Sequence, residues 1–150
     1  AFLWSDPESD VAGAETEVLS GTIDISATVL DRAKVLPYNG LQGQSLLSVA
    51  DNPQSPGPRD AILIEEDNQR ILPVLGQDPK ARTLITQQWR LSVYHGHDWG
   101  ELYDLNNDPG ELKNLWDKQD YRDIKMSLFE RLIQEQIALN DTSPLPLGRA

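Results

Sequence analysis

The sharpest local grouping of chemically capable side chains is His95-Gly96-His97-Asp98. Two imidazoles at i and i+2 point the same way from a strand, and Asp98 adds a carboxylate. The triplet therefore reads as part of a site for a borderline metal such as zinc. Mononuclear zinc sites use three or four protein ligands, and no third strong ligand stands near these residues in sequence. The alternative reading is a solvated hairpin loop. A second grouping, Asp104-Leu105-Asn106-Asn107-Asp108-Pro109-Gly110-Glu111, opens like a calcium loop, with oxygen ligands at alternating positions. Its sixth position is Pro109, where that loop needs glycine, and its twelfth is Leu115, where it needs a bidentate glutamate. A turn feeding a helix accounts for the same residues, with Asp108 as N-cap, Pro109 at the first helical position and Glu111 three residues after the cap.

Other chemistry is thinner. Ser55 and Ser143 lie in proline-rich stretches with no histidine nearby, so no serine triad is indicated. The chain has no cysteine, which excludes a disulfide scaffold, a thiolate metal site and a cysteine nucleophile within it. Trp4, Trp89, Trp99 and Trp116 are scattered over different elements, which favours core or rim packing over a sugar-stacking face. Asn140-Asp141-Thr142 is a glycosylation acceptor pattern.

The elements that must position these residues follow from periodicity. Phe2-Leu3-Trp4 reads as a short strand and Asp6-Pro7 opens a loop containing Gly13. Ile25, Val29, Leu30 and Ala33 share one face of a helix near residues 24–32, with Thr22, Asp24 and Ser26 as cap or first-turn residues. Pro37 and Gly40 close it, and a short apolar piece follows at residues 45–49. Asn52 to Arg59 holds three prolines, which cannot supply the ladder donors of a central strand. Strands are predicted at 61–66, 69–75, 82–86, 89–94 and 101–105, with Pro73 demoting the second to an edge or bulge. Short links between them favour an antiparallel meander. A long helix covers about residues 121–139, with Tyr121, Ile124, Leu128 and Leu132 as its apolar stripe and Phe129 beside them.

The chain has 150 residues, 13 Lys+Arg against 24 Asp+Glu, and a formal charge of −11. That balance argues against nucleic acid and against an anionic membrane surface, both of which need a cationic face. No apolar run is long enough to span a bilayer, and no signal peptide is visible. The first residues, Ala1-Phe2-Leu3-Trp4, carry no methionine, and the expectation is a fragment of a longer protein.

Four segments taken in order then narrow the reading: residues 20–31 (Ser-Gly-Thr-Ile-Asp-Ile-Ser-Ala-Thr-Val-Leu-Asp), residues 41–47 (Leu-Gln-Gly-Gln-Ser-Leu-Leu), Arg82-Thr83-Leu84 with Trp89-Arg90-Leu91, and Glu101-Leu102-Tyr103-Asp104-Leu105 continuing through Asp108-Pro109-Gly110-Glu111 to Asn114-Leu115. This succession, over roughly Leu19 to Leu139, resembles the C-terminal part of the sulfatases, in the alkaline-phosphatase-like superfamily. The last motif is long and specific. Ala27 stands where that family favours proline, Lys34 where glycine often follows the alanine, Gln44 where arginine is common, and Arg90 where lysine is usual.

The resemblance implies a parent enzyme with a formylglycine nucleophile, made from Cys or Ser in a Cys/Ser-x-Pro/Ala-x-Arg motif, and a divalent cation, usually calcium. No residue here matches those positions. Ser55-Pro56-Gly57-Pro58-Arg59 has the arginine, but Gly57 fails the motif and the segment lies in the wrong part of the family pattern. The chain is therefore expected to contain no catalytic residue, metal ligand or cofactor of its own and to be inert alone, because sulfate-ester hydrolysis needs a nucleophile and concentrated positive charge. His95, His97 and Trp99 are the residues nominated for a substrate-selecting loop.

The expected architecture is α+β: about four antiparallel strands packed on the C-terminal amphipathic helix, preceded by a remnant of the larger α/β sulfatase domain. The expected divisions are 1–50 as an edge segment of that larger domain, 51–60 as a proline-rich linker, 61–139 as sheet plus helix, and 140–150 as a loose tail. Its partner would be the rest of the parent chain, with self-association through residues 1–50 as the consequence of separating the two. Two alternatives are a stand-alone binding module with a sulfatase-like C-terminal fold, carbohydrate being a candidate ligand, and a small metalloenzyme built on His95 and His97. Bacterial cytoplasm and periplasm both fit the composition.

Overall fold

The computed structural model describes Ser5, residues 10–67 and residues 80–139. The expected strands at 2–4 and 69–75 and the expected tail at 140–150 lie outside the described residues. The chain divides between Asp60 and Ala61 into two compact units. No helix among the described residues is long and apolar enough to cross a membrane.

The first unit contains helix α1, Ile23–Arg32, and the short helix α2, Leu47–Asp51. Asp24 lies in the first turn of α1, where a carboxylate complements the helix dipole. The end of α1 is a Schellman closure. Val35 N–H donates to Leu30 C=O at 2.9 Å and Lys34 N–H to Asp31 C=O at 3.0 Å. Lys34 sits at φ 57°, the left-handed conformation that favours glycine. Lysine there occupies a backbone position that strains most residues with a Cβ.

The apolar spacing of α1 correctly locates the helix but not its buried face. Asp24, Ala27 and Thr28 are buried, whereas Ile25 is 43% and Val29 52% exposed. Val35, Leu36 and Tyr38 extend the exposed apolar surface beyond the helix. The inward face is polar because its groups are paired. Thr28 Oγ1 donates to Asp24 C=O at 2.6 Å and accepts from Leu46 N–H at 3.0 Å.

The second unit is a four-stranded antiparallel meander, β1 Ala61–Asp67, β2 Lys80–Thr86, β3 Trp89–Tyr94 and β4 Gly100–Asp104, in spatial order β1-β2-β3-β4. Helix α3, Arg122–Ala138, follows a 3-10 turn at Gln119–Tyr121 and packs on the sheet. The fold is α+β. Register places Leu63, Leu84, Leu91 and Leu102 opposite one another across the strands, and period-2 alternation sends all four to one face. Leu84, Leu91 and Leu102 have no exposure and meet Leu128 and Leu132 of α3 in a core that also holds Ala61, Leu115 and Trp116. Trp116 lies so close to Gly100 that a Cβ there would overlap its ring and Ser92 C=O. The ring meets Phe129 edge-on at 5.8 Å, and the Lys125 ammonium lies 4.4 Å above it.

The free edge of β4 is covered by the end of the family's long motif. Asn114 Oδ1 accepts from Leu102 N–H at 3.0 Å, Asn114 Nδ2 donates to Gly100 C=O at 2.9 Å, and Leu115 N–H donates to Leu102 C=O at 2.8 Å. The helix expected to start at Asp108 is not formed; residues 108–118 are irregular, with short turns and a bend. The Asp108 carboxylate instead closes a non-helical turn, accepting from Leu112 N–H at 3.1 Å and Lys113 N–H at 2.8 Å. Glu111 then takes φ 53°, which ends helical propagation, and helix formation waits until Arg122.

Candidate functional site

The β3–β4 hairpin tip is where the nominated residues fall. The backbone bond from His97 N–H to Tyr94 C=O (3.3 Å) closes the turn, with Gly96 at φ 77°, while His95 N–H continues the β2–β3 ladder to Lys80 C=O (2.9 Å). Tyr94 ends β3, and its ring lies 4.7 Å from that of Trp99, centroid to centroid, tilted by 35°. His97 packs against Trp99 at 5.4 Å, its ring tilted by 50°. Trp99 remains 40% exposed and Asp98 is exposed beside it. The tip is thus a partly open aromatic stack.

His95 goes elsewhere. It lines an open groove of about 400 Å³ with Asp67, Lys80, Arg82, Phe129 and Leu132 among its neighbours. Arg82 in that groove bonds Glu65 at 2.8 Å and Asp67 at 3.1 Å. The hydrogen bond from Arg82 holds the Asp67 carboxyl below its ordinary value, and the same bond raises the guanidinium. The structure therefore brings His97 and Trp99 together and places His95 in a different setting. Among the described residues no group of three or more His, Cys, Asp or Glu side chains is arranged to hold a metal ion.

The calcium-like segment uses its oxygens on its own backbone and side chains. Asp104 accepts from Asn106 N–H at 3.2 Å and from Asn107 Nδ2 at 2.8 Å. Ser55-Pro56-Gly57-Pro58-Arg59 is a loop whose arginine has a definite partner, the buried carboxylate of Asp24. That carboxylate also accepts Gly21 N–H and Gln44 N–H, each at 2.8 Å. Three separate stretches thus converge on one fully buried acid. Sequence reasoning missed this pairing because 35 residues separate its ends.

Beneath the tip, on the sheet face opposite the leucine layer, lies a second unanticipated group. Tyr94 Oη donates to Glu101 Oε2 at 3.0 Å, Arg90 lies 3.5 Å from the same oxygen, and Arg90 also pairs with Glu111. Burial, and then the Glu101 charge, push the Tyr94 hydroxyl up to about 12. The same causes in the same order raise Tyr103. The signal was available in principle, since Arg90 and Tyr94, and likewise Glu101 and Tyr103, share parity on their strands.

Comparison with known proteins gives consistent matches. The family model described as N-sulphoglucosamine sulphohydrolase, C-terminal, matches residues 2–138. An N-acetylglucosamine-6-O-sulfatase of Bacteroides thetaiotaomicron is 27% identical over 139 residues, which are 92% of this chain and 25% of that protein. An uncharacterized protein of Haemophilus influenzae is 32% identical over 79% of this chain and 57% of its own length. Among solved structures, BT4656 in complex with its substrate D-glucosamine-2-N,6-O-disulfate superposes with a TM-score of 0.76 at 26% identity, over 95% of this chain and 29% of that one. A phosphonate monoester hydrolase of Agrobacterium radiobacter shares the fold, with a TM-score of 0.71 at 24% identity over 86% and 27% of the respective chains. The chain spans about a quarter of the length of the curated sulfatase it matches.

Proposed function

The chain belongs to the N-sulphoglucosamine sulphohydrolase C-terminal family, and on that premise we propose that it is the C-terminal portion of a longer sulfatase-like hydrolase acting on sulfate esters or related phosphonate or phosphate esters. The observation that carries this reading is the combination of a match over a quarter of a sulfatase with the outward apolar face of α1. Such a face is unfavourable in water and is suited to burial against further protein. Residues 1–50 act as the edge of the larger domain, 51–60 as the link, and 61–139 as a scaffold. The formylglycine nucleophile and the divalent cation, calcium by family resemblance, belong to the remainder of the enzyme. The chain's own contribution to recognition is the hairpin tip: Trp99 and His97 offer ring faces to a bound substrate, and His95 selects from the neighbouring groove. Separated from its parent, the chain self-associates through residues 1–50.

A second reading has one observation in its favour. The Haemophilus influenzae relative is more than half covered by this match, so this fold also occurs in a shorter protein. A stand-alone binding module fits that case.

The coding sequence on the N-terminal side of Ala1 separates the two. A Cys/Ser-x-Pro/Ala-x-Arg motif with Asp-rich segments is expected, and a natural start at Ala1 would overturn the proposal. The isolated chain is expected to show no turnover of an aryl sulfate with added calcium. Turnover that survives Ser55→Ala would mean that a nucleophile lies within this chain.

A further inference from the structure

Six side chains of the hairpin and of the turn after β4 are linked end to end. The Glu111 carboxylate pairs with Arg90, and Arg90 Nη2 lies 3.5 Å from Glu101 Oε2. That same oxygen accepts the Tyr94 hydroxyl at 3.0 Å. The Tyr94 ring carries Trp99 at 4.7 Å, and Trp99 carries His97 at 5.4 Å. Register makes this geometry: Ser92 faces Glu101 across the ladder, so Arg90 and Tyr94 flank Glu101 diagonally on the same face.

The far end of the chain of contacts is itself fixed. Glu111 is held at φ 53°, and Asp108 caps the turn around it through Leu112 N–H and Lys113 N–H. Arg90 also lies 5.8 Å from the centre of the Tyr103 ring. A planar guanidinium can address two carboxylates while lying over a ring, whereas a lysine ammonium is a single point charge.

We propose that Arg90 and Glu101 are positioning residues for the hairpin tip: the acid–arginine–acid bridge fixes the Tyr94 ring, and Tyr94 sets the tilt of Trp99. The post-β4 turn and the tip then form one unit, which a lysine at position 90 could not tie together in the same way. Only the functional consequence of this coupling rests on the recognition role proposed above; the coupling itself is a statement about geometry.

The test is 19F NMR of the whole chain labelled with 5-fluorotryptophan, the Trp99 signal being assigned by Trp99→Phe. Arg90→Lys, Glu101→Gln and Tyr94→Phe are each expected to shift the Trp99 signal while the Trp89 and Trp116 signals keep their positions. An unmoved Trp99 signal in Arg90→Lys and Glu101→Gln would overturn the proposal, because the bridge would then only hold the turn. Movement of all the tryptophan signals together would overturn it as well, since the effect would be global. Should the charge variants fail to fold, Tyr94→Phe decides: it keeps the ring, and a Trp99 signal that stays in place sinks the idea. Failure of the recognition reading is seen separately, as an unchanged KM for Trp99→Ala in the longer enzyme.

Discussion

In the first unit the least exposed side chains are Asp24 and Thr28, while in the second they include Leu84, Leu91 and Leu102. One unit is organised around a carboxylate that gathers two backbone donors and an arginine. The other is organised around a leucine layer with a polar network on the opposite face of its sheet. The difference teaches what each can tolerate. A buried acid is stable only while its partners are in place. A leucine layer loses stability in proportion to the contacts removed, without leaving an unpaired charge.

Breaking the acid is expected to have the largest effect. Asp24→Ala strands a largely buried Arg59 and two backbone donors, and costs about 3–5 kcal/mol, the range for removing one partner of a buried pair. Denaturant unfolding measures it, and a loss within the scatter of surface substitutions would show that the carboxylate is not the organising group. Leu91→Ala, in the middle of the sheet, follows at about 2–5 kcal/mol. If its loss exceeded that of Asp24→Ala, the contrast between the units would be reversed.

A smaller effect of opposite sign sharpens the comparison. Lys34→Gly relieves a left-handed residue at the end of α1 and is expected to add stability of about 1 kcal/mol, read as a raised thermal midpoint. A fall in the midpoint would mean that Lys34 makes a compensating interaction.

The second unit's polar face gives the mildest prediction, confined to alkali. The Tyr94 proton is held more tightly in the folded state than at the ordinary tyrosine value of 10.0, with the folded value about 12. Its contribution is fully present below pH 10. It is lost as pH rises from there through about 12, because the unfolded chain releases the proton first. Tyr94→Phe is expected to flatten this part of the stability profile. A profile unchanged by the substitution would remove Tyr94 from the cause.

Much of the fold was legible in the residues. Alternating runs around Leu84, Leu91 and Leu102 fixed three strands within about two residues, and the Ile124, Leu128 and Leu132 spacing fixed α3. Local preference failed where a long-range partner or a special backbone angle decided the outcome. Asp108-Pro109-Gly110-Glu111 has the composition of a helix start, but Glu111 is left-handed and its carboxylate is engaged by Arg90, 21 residues away. The hairpin residues His97 and Trp99 were visible as types. The packing of Trp99 on Tyr94 and of His97 on Trp99, and the departure of His95 to the groove, follow from which side of the turn each one leaves.

Motifs whose order and spacing are carried along the chain were enough to give the family, and hydrophobic period, a local property, was enough to give the strands of the leucine layer and α3, though not the coil that follows Asp108. The tertiary structure decided which face of α1 is buried, which arginine neutralises Asp24, and how Arg90 links two acids beneath the tip. Those outcomes depend on pairs of residues 11 to 35 positions apart, whose meeting is set by strand register and chain reversal and not by the preference of either partner.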